Sequence, residues 1–404
     1  MAAVILVIFI AVPFFFGQGK NTLGEGGDQR TEKHLSHEKP ISLSISCVGD
    51  IMVHSPQIPA QYREETNTYD FSNNFQYVAP YIREADLALC NMETTFGGES
   101  RGYSGYPSFN SPESLATAVR EAGWDVAITA NNHNMDTGEA GVNGTLATLR
   151  KAGLATVGTQ YLGEKPYTMV SIKGVNIAII AYTYETPSTD GRVRINSTPV
   201  PLPLEPQINS FDYGTLDTDL GEIGGLIDQA RGEKADVVVC YFHWGTEYQT
   251  MPNEYQKQMA QEVAAMGADI IFASHPHVLQ PMEMIKVSAT GKEVPVFYSM
   301  GNFISNQRSE TLDLPNSKDT EQGIIAEVDF EYMKSTGEIL AMEMHAVPLW
   351  VDRYNQGKTV YTVVPLDSNL AENPDIQISG HLARARQALA DIQNRMGENY
   401  VKGN

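Results

Sequence analysis

From Ile41 onward the chain alternates between short runs rich in Val, Ile and Ala and longer stretches whose apolar residues recur at helical spacing. That alternation predicts an α/β domain. Strands are expected at 42–48, 86–90, 125–130, 235–242, 270–274 and 294–300, and a hairpin at 167–172 and 175–182 turning on Lys173-Gly174. Helices are expected at 75–85, at 112–123 with Ser111 as N-cap and Gly123 as stop, at 139–152, at 216–232 and at 253–266. Two long alternating runs, 323–332 and 339–347, read as an antiparallel pair, and the tail beyond Val351 reads as less regular, closing in a helix near 379–395. Residues 186–213 carry many prolines without periodicity, which marks either a functional loop or an insertion.

Residues 2–17, AAVILVIFIAVPFFFG, are almost unbroken apolar sequence. They predict a signal or signal-anchor at 1–17, although a membrane span usually takes about twenty residues. A polar, glycine-containing linker would follow at 18–40, then a globular domain at 41–350 and a C-terminal extension at 351–404. This arrangement places the domain outside the cytoplasm, tethered to the cell membrane. With 404 residues, 42% of them hydrophobic, the chain can bury a full core. Its formal charge of −21 argues against a nucleic-acid partner, since phosphate backbones are held by clustered Lys and Arg. The three cysteines, Cys47, Cys90 and Cys240, each lie in an apolar strand-like run and suggest no disulfide framework.

The run 270–277 ends in His275-Pro276-His277, and residues two apart on an extended chain project the same way. Alone, such a pair is equally two surface histidines. The strand ends elsewhere change the picture: Asp50 with His54 just beyond it, Glu93 after Asn91, Asn132-His133, and His243. Five of the nine histidines fall at such positions, and in α/β proteins ligands gather at the carboxyl edge of the sheet. The set offers carboxylate, amide oxygen and imidazole but no thiolate, which suits one or two divalent metals, Mn, Fe or Zn. The metal ligands expected are Asp50, Glu93, Asn132, His243, His275 and His277, with His54, Asn91 and Asn302 as further candidates. Glu93 or Asp50 would bridge a metal pair. Trp244, Glu247 and Tyr248 are expected near the pocket, and His34, His37, His345 and His381 away from it.

The ordered motifs VGDIM, NMETTF, ITANNHNMDTG, FHWGTEY, ADIIFASHPHVLQ and YSMGNFI resemble the CapA family of bacterial capsule or poly-γ-glutamate synthesis proteins, over about residues 43–304. That family is similar to the calcineurin-like metallophosphoesterases, so the resemblance implies a four-layer α-β-β-α sandwich. It also implies that Asp50 is the first-strand aspartate, that Glu93 stands where an aspartate bridges the metals, and that Asn132 binds metal. His133 would serve as acid or position the phosphate, and His243, His275 and His277 would supply the other imidazoles. Two positions depart from the superfamily pattern. Met52 occupies the place of a histidine, with His54 as a substitute, and Asn134 replaces an acidic residue, leaving Asp136 to orient His133. The function implied is an extracytoplasmic, phosphoesterase-like metal-dependent hydrolase in capsule or poly-γ-glutamate production or export, partnered with the synthesis complex. The alternatives are a non-catalytic polymer-binding or assembly factor that keeps the fold, and an amide hydrolase acting on the polymer.

Overall fold

The computed structural model describes residues 38–397 and 400–402. The expected signal segment, most of the expected linker, His34 and His37 lie outside the described residues. The described residues from Lys39 onward form one compact unit. Its first strands, β1 (Ile41–Ile51), β2 (Leu87–Met92), β3 (Val126–Ile128) and β4 (Ala155–Val157), lie side by side and parallel. Helix α1 (Ser114–Ala122) lies between β2 and β3, and α2 (Gly138–Lys151) between β3 and β4. Every residue of β2 is buried, as a parallel strand covered on both faces requires.

A second sheet follows, from β5 (Thr168–Ile172), β6 (Val175–Tyr184) and β7 (Ser210–Phe211). Helix α3 (Leu216–Gly232) leads to β8 (Val237–His243), and α4 (Glu254–Met266) to β9 (Ile270–Ser274), β10 (Met282–Lys286) and β11 (Glu293–Phe297). The spatial order is β7-β6-β8-β9-β11-β10, with β5 beside β6. The chain then returns to the first sheet: β12 (Asn302–Ile304) pairs parallel with the end of β1. Antiparallel strands β13 (Gln322–Met333), β14 (Glu338–Gln356) and β15 (Lys358–Pro365) extend that sheet outward from β1. Helix α5 (Leu382–Met396) packs against β14.

Alternate residues of each central strand point to opposite faces. Ile45 and Leu89 of the first sheet meet Ile177, Val239 and Phe272 of the second in one shared core. The neighbours on the outer faces go to helices: Ala88 and Cys90 with Leu115 and Val119 of α1, and Ile180 and Val238 with Leu220 of α3 and Met259 of α4. The described chain is therefore a four-layer helix-sheet-sheet-helix arrangement.

Several local expectations need correction. The helix expected over 75–85 is two short ones, Ser72–Phe75 and Ala79–Glu84, because Pro80 lacks an amide hydrogen and fits only a helix start. Ser111 caps nothing: its hydroxyl lies 2.8 Å from that of Thr94, and α1 begins at Ser114. The tail beyond Val351 is not irregular. β14 runs straight through positions 350 and 351, and β15 pairs back along it. Its buried Asp352 interrupted the apolar pattern that would have disclosed the strand. The 186–213 segment holds a two-stranded ribbon, Arg194–Ile195 with Thr198–Pro199, and packs Ile195, Val200, Leu204 and Ile208 on Met135 and Val142.

Candidate metal centre

At the carboxyl end of β1 the pairing register shifts on both sides, at Asp50. Gly49 allows this, since a Cβ there would sit 1.9 Å from the Gly301 carbonyl oxygen. The Asp50 amide donates to that same oxygen at 3.1 Å, which turns the carboxylate into the seam between the sheets, fully buried. Asn91 at the end of β2 donates from Nδ2 to Asp50 Oδ1 at 2.8 Å and to Glu93 Oε2 at 3.3 Å. Its own oxygen accepts from Asn131 at 3.1 Å. Asn91 thus spaces two carboxylates as a donor, and its oxygen already accepts one hydrogen bond from Asn131.

The second sheet supplies imidazoles. His243, the last residue of β8, places Nε2 2.9 Å from Asn132 Oδ1 and 3.6 Å from Glu93 Oε1. His277 places Nδ1 2.9 Å from Asp50 Oδ2 and Nε2 4.0 Å from Glu93 Oε1. The His275 ring lies 4.8 Å from that of His243 and 4.7 Å from that of Tyr184. The two loop histidines do not converge by lying on an extended strand. β9 stops at Ser274, and His275 and His277 take φ of 106° and 57°, in the left-handed region that disfavours side chains with a Cβ. Ligand atoms gather in two groups, each within 4.8 Å: Asp50 with Glu93 and His243, all buried, and Glu247 with His275 and His277, of which Glu247 is exposed.

The electrostatics of this seam suit a cation. Burial pushes the Glu93 carboxyl well above its usual range, and the charge on Asp50 pushes it further. For Asp50, burial acts the same way but is outweighed by the hydrogen bond and charge of His277, which hold it low. Burial lowers His243 to about 3 and takes His275 well below the usual histidine value, so both are neutral lone-pair donors near neutral pH. Among the described residues, four buried atoms of the expected site residues have no hydrogen-bond partner: Glu93 Oε1, His243 Nδ1, His275 Nδ1 and Asn302 Oδ1. An unpartnered carboxylate oxygen buried beside a second carboxylate is costly, and a divalent ion held by Asp50, Glu93 and His243 would remove the cost. The residues present fit such an ion.

His133 stands at the lip of this centre, with Nδ1 2.8 Å from Asp136 Oδ2. Asp136 is itself fixed by the Phe109 amide at 2.6 Å, and the Phe109 ring packs edge-on against His133 at 4.7 Å. Asn134 is buried with neither amide atom bonded. His133 lines two cavities, a polar cleft of about 820 Å³ that also touches Asn132, Asp136 and Glu247, and a smaller one of about 290 Å³ that reaches Met52, His54 and His277. His54 Nδ1 accepts from the Asn306 amide at 3.2 Å, and among the described residues it joins neither ligand group. Asn302 donates to Gln307 and to the Thr320 carbonyl, leaving its buried oxygen free. Trp244 is a packing residue, stacked on Phe242. Glu247, expected only as pocket lining, is the one ligand-group member outside the expected ligand set. It sits in a loop four residues beyond a strand end, where periodicity carries no signal.

Among curated proteins the chain is 30% identical over 306 residues to the PGA biosynthesis protein CapA of Bacillus subtilis (strain 168), a match spanning 74% of this chain and 72% of that protein. It is 31% identical over 290 residues to the capsule biosynthesis protein CapA of Bacillus anthracis, spanning 69% of this chain and 64% of that protein, just under two thirds of its length. A solved structure of a Mycoplasma pneumoniae phosphatase aligns with a TM-score of 0.42 at 13% identity, covering 76% of this chain and 94% of that one. The sequence model of the bacterial capsule synthesis protein family PGA_cap matches residues 44–307, which include all the residues gathered in the seam, and the chain belongs to that family.

Proposed function

We propose that this protein serves capsule or poly-γ-glutamate biosynthesis as a metal-dependent, phosphoesterase-like hydrolase, held outside the cytoplasm by the apolar segment 2–17. The observation that carries the reading is the convergence of Asp50, Glu93, Asn132 and His243 from two sheets on one buried seam beside His277, with buried lone pairs unmatched. These residues would hold one or two divalent ions of the Mn, Fe or Zn class. Such ions polarise a phosphoryl oxygen and activate water at neutral pH.

The chain's own groups do the rest. Asn91 keeps the two carboxylates apart at a fixed spacing. Asp136 accepts from His133 Nδ1, and this leaves Nε2 as the nitrogen that exchanges a proton with a leaving oxygen at the cleft. The polar cleft of about 820 Å³ beside it, lined by Asn132, Asp136 and Glu247, would receive a hydrophilic substrate, in keeping with the pathway named for the curated relatives.

The test is turnover of a chromogenic phosphodiester by the full chain, after chelation and after Mn²⁺ is restored. Metal-dependent turnover is expected. His133→Ala should lower it by about 10²- to 10⁴-fold while bound metal is unchanged. Absence of metal-dependent turnover would leave the protein a binding or assembly factor.

A further inference from the structure

Resting on the hydrolase reading above, we infer that the substrate carries its phosphate on an uncharged, hydroxyl-rich glycan, which lies along the polar cleft with Tyr106 as its stacking platform.

The charge of the cleft decides the class of ligand. Among the described residues that line it, Arg101 is the one guanidinium or ammonium, set against the carboxylates of Asp136, Glu139 and Glu247. Asp136 is taken up by His133 and the Phe109 amide. A chain of carboxylates needs clustered Lys or Arg, and this cleft would repel it. The rest of the lining is hydroxyl and amide, from Ser104, Ser108, Asn196 and Thr198, groups that both donate and accept as sugar hydroxyls do.

Tyr106 supplies the apolar complement. It is 70% exposed, and with His133 and Glu247 it lines both the 820 Å³ cleft and the 290 Å³ cavity, so it stands where the two meet. An aromatic ring packs on the C–H face of a pyranose while its hydroxyl stays in water. The loop that carries it is braced from within. Asn110 Oδ1 accepts from the Gly97 amide at 2.7 Å, and Nδ2 donates to the carbonyls of Gly98 and Gly102 at 3.1 and 2.8 Å. Ser104 and Asn110 exchange both backbone hydrogen bonds, and a Cβ on Gly105 would lie 2.2 Å from the Ser55 amide nitrogen. An exposed ring on a fixed backbone binds with little ordering cost.

The 186–213 segment, which contributes nothing to the two ligand groups, gains a use here. The turn of its ribbon brings Asn196 and Thr198 to the cleft. The Ser197 amide anchors that turn by donating to Thr186 Oγ1 at 2.8 Å.

The test is saturation-transfer NMR on the full chain with maltohexaose, chitohexaose and hexa-γ-glutamate, probes without phosphate, so that binding is read apart from turnover. Transfer to at least one glycan is expected, and none to the glutamate chain. Tyr106→Ala should lower it about fivefold and Tyr106→Phe should keep it. Asn196 has φ of 46°, so Asn196→Gly removes the amide without straining the turn, and it should lower transfer while circular dichroism stays that of the wild type. Preference for hexa-γ-glutamate, binding of neither glycan, or glycan binding untouched by Tyr106→Ala would overturn the inference. Glycan binding without metal-dependent turnover would instead count against the hydrolase reading alone, and turnover without glycan binding against this inference alone.

Discussion

Asp50 and His277 face each other at 2.9 Å in the seam, and each makes the other's charged form possible. Burial opposes both charges, yet the pair holds Asp50 below its usual value of 3.8 and His277 above its usual 6.5. The depressed carboxylate contributes stability that is present above 3.8 and lost as pH falls through its lowered value. The raised imidazole contributes stability that is present below 6.5 and lost as pH rises through its raised value. In the metal-free chain the pair therefore contributes most between these two values. Urea unfolding of the chelated wild type, minus that of Asp50→Asn/His277→Gln, should show a difference that peaks in this window. A difference independent of pH would mean that the two groups are not a charged pair. At this scale the carboxylates and imidazoles were legible in the sequence because each ends a strand. Their backbone setting was not. His275 and His277 take left-handed φ around Pro276, whose carbonyl accepts from the Tyr248 amide, a contact between segments remote in sequence.

Among elements, β1 matters most, because it brings Asp50 to the seam and pairs with strands from both ends of the chain. Its close approach to Gly301 requires a residue without Cβ at position 49. Gly49→Ala must displace backbone rather than a side-chain tip. It should cost about 1–3 kcal/mol in denaturant unfolding and reduce bound metal, since Asp50 moves with the strand. Unchanged stability would show that β1 and β12 are not so close. The parallel strands were readable because burial on both faces leaves continuous apolar runs. β4, three residues long, and the far half of β14, with its buried Asp352, had no such run. Pro80 was misread because helical spacing continues across the break that it imposes.

For the whole molecule, the four layers and the site share one cause. Two sheets that bury their inner faces on each other bring their strand ends together, so a dry core and a polar rim form in the same event. The C-terminal strands belong to that core. Trp350 donates to Glu321 at 3.1 Å, and Arg384 of α5 donates to the same carboxylate at 2.9 Å. A chain ended after residue 350 loses the last third of β14, all of β15 and α5. It should fail to give soluble folded protein by circular dichroism, while the full chain does. A folded truncation would contradict the single core. The central claim is that the seam holds a divalent ion, and anomalous scattering from crystals of the full chain grown with Mn²⁺ tests it most directly. A manganese peak among Asp50, Glu93 and His243 is the predicted result, and an ordered seam without one, its carboxylates and imidazoles bonded only to each other or to water, would contradict it.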